Sequence, residues 1–144
     1  MSYVSNSLLP GEQITHETRL HKAMFFWPAV GTLAALATLF VATTGGGVLV
    51  AVAALYGGSA WLRYRSSEFA VTNKRVIIKV GILHRRTVEM LLNKVEAISV
   101  DQGLGGRLLD YGTIVVVGSG GTREPFERIA GPLEFRRAVQ AATL

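Results

Sequence analysis

The chain contains no cysteine, which excludes a disulfide framework or a thiolate metal site and removes any sign of an oxidising compartment. Charge is also missing, but only locally. From Ala23 to Leu62 there is no Asp, Glu, Lys, Arg or His, whereas residues 63–144 hold 13 of the 15 Lys and Arg and 8 of the 10 Asp and Glu. A short basic leader is absent too: the first 22 residues are polar and mixed in charge, with Glu12 and Glu17 beside Arg19 and Lys22. That is unlike a cleavable signal peptide, so the apolar stretch is expected to stay in the mature protein.

A single helix of forty uncharged residues would be about 60 Å long, twice the ~30 Å hydrocarbon core of a bilayer. Two crossings fit better. Thr43-Thr44-Gly45-Gly46-Gly47 offers the break, which places one helix at roughly 23–43 and a second at roughly 47–64. Phe25, Phe26 and Trp27 open the first span and Trp61 and Tyr64 close the second, as interfacial aromatic belts do. Arg19 and Lys22 precede the hairpin, Arg63 and Arg65 follow it, and the turn carries no charge. The positive-inside bias therefore puts both termini in the cytoplasm. Gly31 with Ala35, and Ala54 with Gly58, offer small-residue faces for close helix approach. A buried hairpin in a soluble core is the competing reading, but too little chain remains to cover two wholly apolar helices.

After Trp61 the pattern changes to period two, the mark of strands with one buried face. Phe69–Thr72 and Val76–Lys79 flank Asn73-Lys74, where a tight hairpin with a positive-φ Asn is expected, and Ile82–Met90 completes a meander of three strands. Val95–Gln102 reads as a fourth strand, and 103–109 as a loop with one helical turn. Thr113–Val117 is a continuous apolar run, expected in mid-sheet and covered on both faces, with Val115 and Val117 in the core. Gly118-Ser119-Gly120-Gly121 turns into a strand at Glu124–Ile129. Gly131-Pro132 then opens a final helix with Phe135, Val139 and Ala142 on one stripe. Six or seven antiparallel strands closed by one helix make a small barrel or sandwich capped at one end.

The segments "SEFAVTNKRVIIKVGILHRR" and "LLNKVEAISVDQGLGGRLLDYGTIVVVGSGGTREPFERIAGPLEFRRAV" resemble the bacterial pleckstrin-homology-like domain of the YdbS-like, membrane-flanked family. The resemblance is carried by the Thr72–Arg75 turn, the following Lys-x-Gly-hydrophobic strand, the glycine-rich Leu104–Thr113 segment and the closing helix. Asp110 departs from it, standing where a small residue is more usual. The resemblance implies a two-helix transmembrane hairpin plus a small, mostly-β PH-like barrel or sandwich capped by a C-terminal α-helix. The units are then a cytoplasmic juxtamembrane segment at 1–22, the hairpin at 23–64 and a cytoplasmic PH-like domain at 65–144.

Catalytic chemistry has no visible constellation. "HETRLH" holds His16 and His21 five residues apart, which on a helix point about 140° from each other rather than to one metal, so both are expected to be solvated. His84 stands alone on a strand. Neither Gly103-x-Gly105-Gly106 nor Gly118-x-Gly120-Gly121 has the strand-to-helix context of a dinucleotide fingerprint, and Ser119 lacks the nucleophile-elbow pattern. No catalytic residue, metal or cofactor is expected. What remains is a basic set: Arg63, Arg65, Lys74, Arg75, Lys79, Arg85, Arg86 and Lys94. Held directly below a bilayer, such a patch would meet anionic headgroups, each nearby Lys or Arg gaining about 1 kcal/mol. The match to the phosphoinositide-gripping hairpin of eukaryotic relatives is partial, because Arg85 and Arg86 alternate faces. Nucleic acid is not an expected partner, since no stacking aromatics are interleaved with the patch. The reading is a non-catalytic interaction module of the bacterial inner membrane, spanning it twice and acting through a protein partner or homo-oligomeric assembly. The alternative is a sensor or handler of anionic lipid headgroups.

Overall fold

A computed structural model describes residues 3–41, 43–81 and 85–144. A short helix α1 (Tyr3–Asn6) and strand β1 (Ile14–Thr18) lead through a 3-10 turn (Lys22–Phe25) into two long helices, α2 (Phe26–Leu39) and α3 (Thr43–Ser66). Strands β2 (Glu68–Thr72), β3 (Arg75–Val80), β4 (Arg86–Leu91) and β5 (Val95–Asp101) follow. Helix α4 (Leu104–Leu109), strands β6 (Tyr111–Gly118) and β7 (Arg123–Ala130), and helix α5 (Pro132–Thr143) complete the chain. The strands form two antiparallel sheets, β1-β2-β3-β4 and β5-β6-β7. They meet where Leu20 bridges Ile129.

One core fills the space between the sheets and under α5. It gathers Phe69, Val71, Val76 and Ile78 from the first sheet and Ile114, Val116, Phe126 and Ile129 from the second. Phe135 and Val139 of α5 close it, as the helical stripe predicts. The strand run over Glu68–Ala130 and the closing helix match the sequence reading. Three details differ. Asn73 does not take positive φ; among the described non-glycine residues only Asp110 and Arg128 do. Strand β6 alternates, with Ile114 and Val116 buried and Val115 and Val117 half-buried, because only one of its faces meets the core. The start of the expected strand Ile82–Met90, residues 82–84 with His84 among them, lies outside the described residues, and the strand is seen from Arg86.

The first 22 residues, expected as a juxtamembrane segment, contribute to the first sheet. Residues 14–18 pair antiparallel with β2, Ile14 opposite Thr72 and Thr18 opposite Phe69. The N-terminal segment also covers the outer face of the first sheet, where Val4 packs with Ala70 and Ile77 in a small second core.

Helices α2 and α3 pack on each other; the helical segment Lys22–Leu39, which joins the 3-10 turn to α2, and the segment Gly45–Ser66 of α3 are long and apolar enough to cross a bilayer. The glycines expected to form their turn instead lie within the first five residues of α3. Gly46 has a different reason to be glycine: a Cβ there would lie 2.8 Å from Leu39 Cα. Close approach of the two backbones thus occurs where Gly46 meets Leu39. Gly31 and Gly58, expected at the contact, face open space.

Candidate functional site

Many of the residues singled out from sequence fall into two places: the β2–β3 hairpin, and the junction between the helices and the sheets. At the hairpin, Thr72, Asn73, Lys74 and Arg75 all bind the N-terminal segment. Asn73 exchanges bonds with Gln13, its N–H donating to the Gln13 carbonyl at 3.1 Å and its Oδ1 accepting from the Gln13 N–H at 3.1 Å. Lys74 Nζ donates to the Pro10 carbonyl at 3.1 Å.

Arg75 goes further. Its Nε and Nη2 donate to the two carboxylate oxygens of Glu12 at 3.0 and 3.1 Å, Nη1 to Glu89 at 2.6 Å, and Nη2 also to the Ser7 carbonyl at 2.7 Å. The Glu12 side chain is fully buried, and it accepts further bonds from the Thr72 hydroxyl and the Leu9 N–H, both at 2.7 Å. Burial by itself raises the Glu12 pKa, but the bonds from Arg75, Leu9 and Thr72 and the guanidinium charge outweigh it and hold the carboxyl below its ordinary value. Its hydrogen bond to Glu12 raises the Arg75 pKa against the opposing effect of burial. Arg75 therefore leaves the expected exposed patch: it fastens the fold.

At the junction, β1 delivers the chain to His21, whose Nδ1 accepts from the Ala23 N–H at 3.0 Å and so caps the turn into α2. The His21 ring stacks on Tyr111, with centroids 5.2 Å apart. Phe25 meets Tyr64 edge-on at 5.3 Å, fixing the entry of α2 beside the exit of α3. His16 packs near the Phe135 ring at 6.3 Å. Both histidines expected to be solvated are thus half-buried parts of the fold. Below Tyr64 the Ser67 hydroxyl bonds the Arg63 carbonyl at 2.7 Å, so α3 runs into β2 with one intervening residue.

A cleft of about 500 Å³ opens between the last turns of α3 and the two sheets. Leu62, Phe69, Val80 and Phe126 give it an apolar wall, while Arg63, Arg86 and Glu127 stand around it. Arg86 is paired with Glu124 across the sheets. Arg63 makes no ion pair among the described residues.

The remaining members of the basic set scatter. The Arg65 guanidinium lies 5.4 Å over the Trp61 ring, and Lys79 Nζ lies 4.6 Å over the Tyr3 ring. Arg85 and Lys94 are exposed. Charge density alone could not separate these roles, because Lys74, Arg75 and Lys79 find partners in Pro10, Glu12 and Tyr3, far away in sequence. Among the described residues no group of three His, Asp or Glu side chains gathers as metal ligands would. The arrangement offers surfaces for binding: a half-apolar cleft, and the outer edges of β4 and β5, which pair with no further strand among the described residues.

Compared with known families, residues 28–143 match the family model of the bacterial PH domain. The match begins inside α2 and leaves β1 outside it. No curated protein and no solved structure matches the chain.

Proposed function

The chain belongs to the bacterial PH domain family, and on that premise we propose that it is a non-catalytic binding module anchored in the bacterial inner membrane by α2 and α3. One observation carries the anchor. Only 17% of the first apolar segment and 6% of the second are buried, although both have the length and hydropathy of a span. A core helix of a soluble protein is mostly covered; these two leave Trp27, Leu33, Phe40 and Leu55 exposed, which favours lipid as their surroundings. Arg19, Lys22, Arg63 and Arg65 at one end of the hairpin favour a cytoplasmic β domain, with both termini on that side.

Binding is assigned to protein contacts, including a second copy of the chain, through the free edges of β4 and β5. Unpaired strand edges accept an added strand through main-chain hydrogen bonds. The test is a photocrosslinking residue at exposed Thr87 or Ala97 in the full chain within native membranes. A discrete crosslinked species is expected from at least one edge; none from either would remove edge pairing as the mode of action.

The cleft supports a second reading, in which a phospholipid headgroup sits near Arg63 with its chains along Leu62 and the outside of α3. In that case Arg63→Gln should reduce the anionic phospholipid that copurifies with the full chain in mild detergent. Unchanged lipid content would exclude it.

A further inference from the structure

We propose that α4 is a third membrane contact, in which Leu104, Leu108 and Leu109 dip into the headgroup–acyl boundary beside the cytoplasmic end of the hairpin. The inference rests on the spanning hairpin proposed above. It starts from exposure: Leu104 is 83%, Leu108 87% and Leu109 57% exposed, on a helix of six residues. Leu104 and Leu108, four residues apart, lie on one face of the helix, and Leu109 stands about 100° round from Leu108.

The opposite side of α4 is pinned, so the leucines are held outward. Gly106 is buried so closely that a Cβ would lie 2.5 Å from the Tyr111 carbonyl oxygen. Gln102 Nε2 donates to that carbonyl at 3.2 Å. Asp110 ends the helix in the left-handed conformation, and its carbonyl accepts from the Gly131 N–H at 3.0 Å, which ties the helix end to the start of α5.

Location argues for lipid as the occupant. Tyr111, next to the end of α4, stacks on His21, and His21 caps the turn that becomes α2. A Cβ on Gly105 would lie 3.5 Å from the same Tyr111 hydroxyl. One aromatic ring therefore separates α4 from the point where the chain enters the hairpin. Area argues the same way. Stable protein interfaces bury about 1,200–2,000 Å² in total, more than a three-leucine tip supplies. Arg107, exposed on the same short helix, makes no ion pair among the described residues. Apolar side chains beside a cation are the pattern of a segment lying in the interface, with the cation left for lipid phosphates.

The absence of native cysteine allows a direct test in the full chain reconstituted in phospholipid nanodiscs. Single cysteines at Leu108, Leu55 and Ser119 would carry an environment-sensitive fluorophore, read against lipids with nitroxide quenchers at shallow or deep positions. Leu55 reports the middle of α3. Ser119 reports the turn beside Lys94, at the end of the first sheet away from α3. The expected result is a blue-shifted Leu108 probe quenched by the shallow nitroxide, a Leu55 probe quenched by the deep one, and a Ser119 probe in water. Quenching at Leu55 with a water-exposed Leu108 probe would overturn the α4 contact and leave the spanning reading standing. A blue-shifted Leu108 probe that no lipid quencher reaches would overturn it in favour of a protein cover. Absence of quenching at both Leu55 and Leu108 would overturn the spanning reading together with this one. Leu104→Cys repeats the measurement should the Leu108 variant fold poorly.

Discussion

Glu12 and Arg75 are 63 residues apart, yet each is the main partner of the other inside the folded domain. Breaking a buried pair from one side leaves an uncompensated charge, a loss of about 3–5 kcal/mol. Arg75→Ala is therefore expected to lower the melting temperature of the full chain in detergent by more than about 10 °C, at about 4–8 °C per kcal/mol for a domain of this size. A near-UV circular dichroism melt would check it, and a shift of a degree or two would show that Arg75 is only a surface cation. The acid limb gives a second measurement. Because the folded pKa of Glu12 lies below its ordinary value, its contribution is fully present above the unfolded value, near 4.3, and is lost as pH falls through the folded one. Glu12→Gln should be less stable than the parent at pH 7, and the two stabilities should converge on acidification. Residue types were readable at this scale and partners were not. Arg75 is one more cation in a basic run until Glu12 is brought beside it, and no periodicity carries that information.

At the scale of elements, legibility followed hydrophobic patterning. The strands with one buried face, the closing α5 and the two apolar helices all leave a trace in the order of apolar and polar residues. Strand β1 leaves none. Ile14-Thr15-His16-Glu17-Thr18 has no fully buried residue and reads as polar linker, although it is the edge that carries the chain to the Leu20–Ile129 bridge. Deleting residues 3–13 would expose Ile77 and strip Arg75 of Glu12. The truncated chain is expected to show early loss of β structure on heating, and an unaltered melt would make the segment an ornament. The glycines of α3 misled for another reason, since glycine serves turns and close packing alike. Gly46→Val should splay α2 from α3, because backbone atoms of Leu39 cannot yield as a flexible side chain would. Gly45→Val, with nothing within 4 Å of the added carbon, should be tolerated. A disulfide trap between the two helices, efficient in the parent and in the Gly45 variant but weak in the Gly46 variant, would separate them.

For the whole molecule, the direct passage from α3 into β2 has a mechanical consequence: with one residue between them, the β domain has little freedom to turn away from the end of the hairpin. The two ring pairs, Phe25 edge-on to Tyr64 and His21 stacked on Tyr111, hold the chain beside the sheets where it enters α2 and leaves α3. Orientation in the bilayer then decides which compartment every surface of the domain meets. Four cations, Arg19, Lys22, Arg63 and Arg65, lie within reach of one end of the hairpin and none lies at the other, and residues that near a span are the ones that set topology. Cysteines at Gly45 and Ser119 suit the measurement, the first because its added carbon is unobstructed and the second because it is exposed in a turn. In intact cells a membrane-impermeant thiol reagent should label only the Gly45 position, with Ser119 reacting after lysis. Labelling of Ser119 before lysis would put the sheets outside, and the edges of β4 and β5, the Arg63 cleft and the α4 leucines would all then face partners and lipids of the outer leaflet.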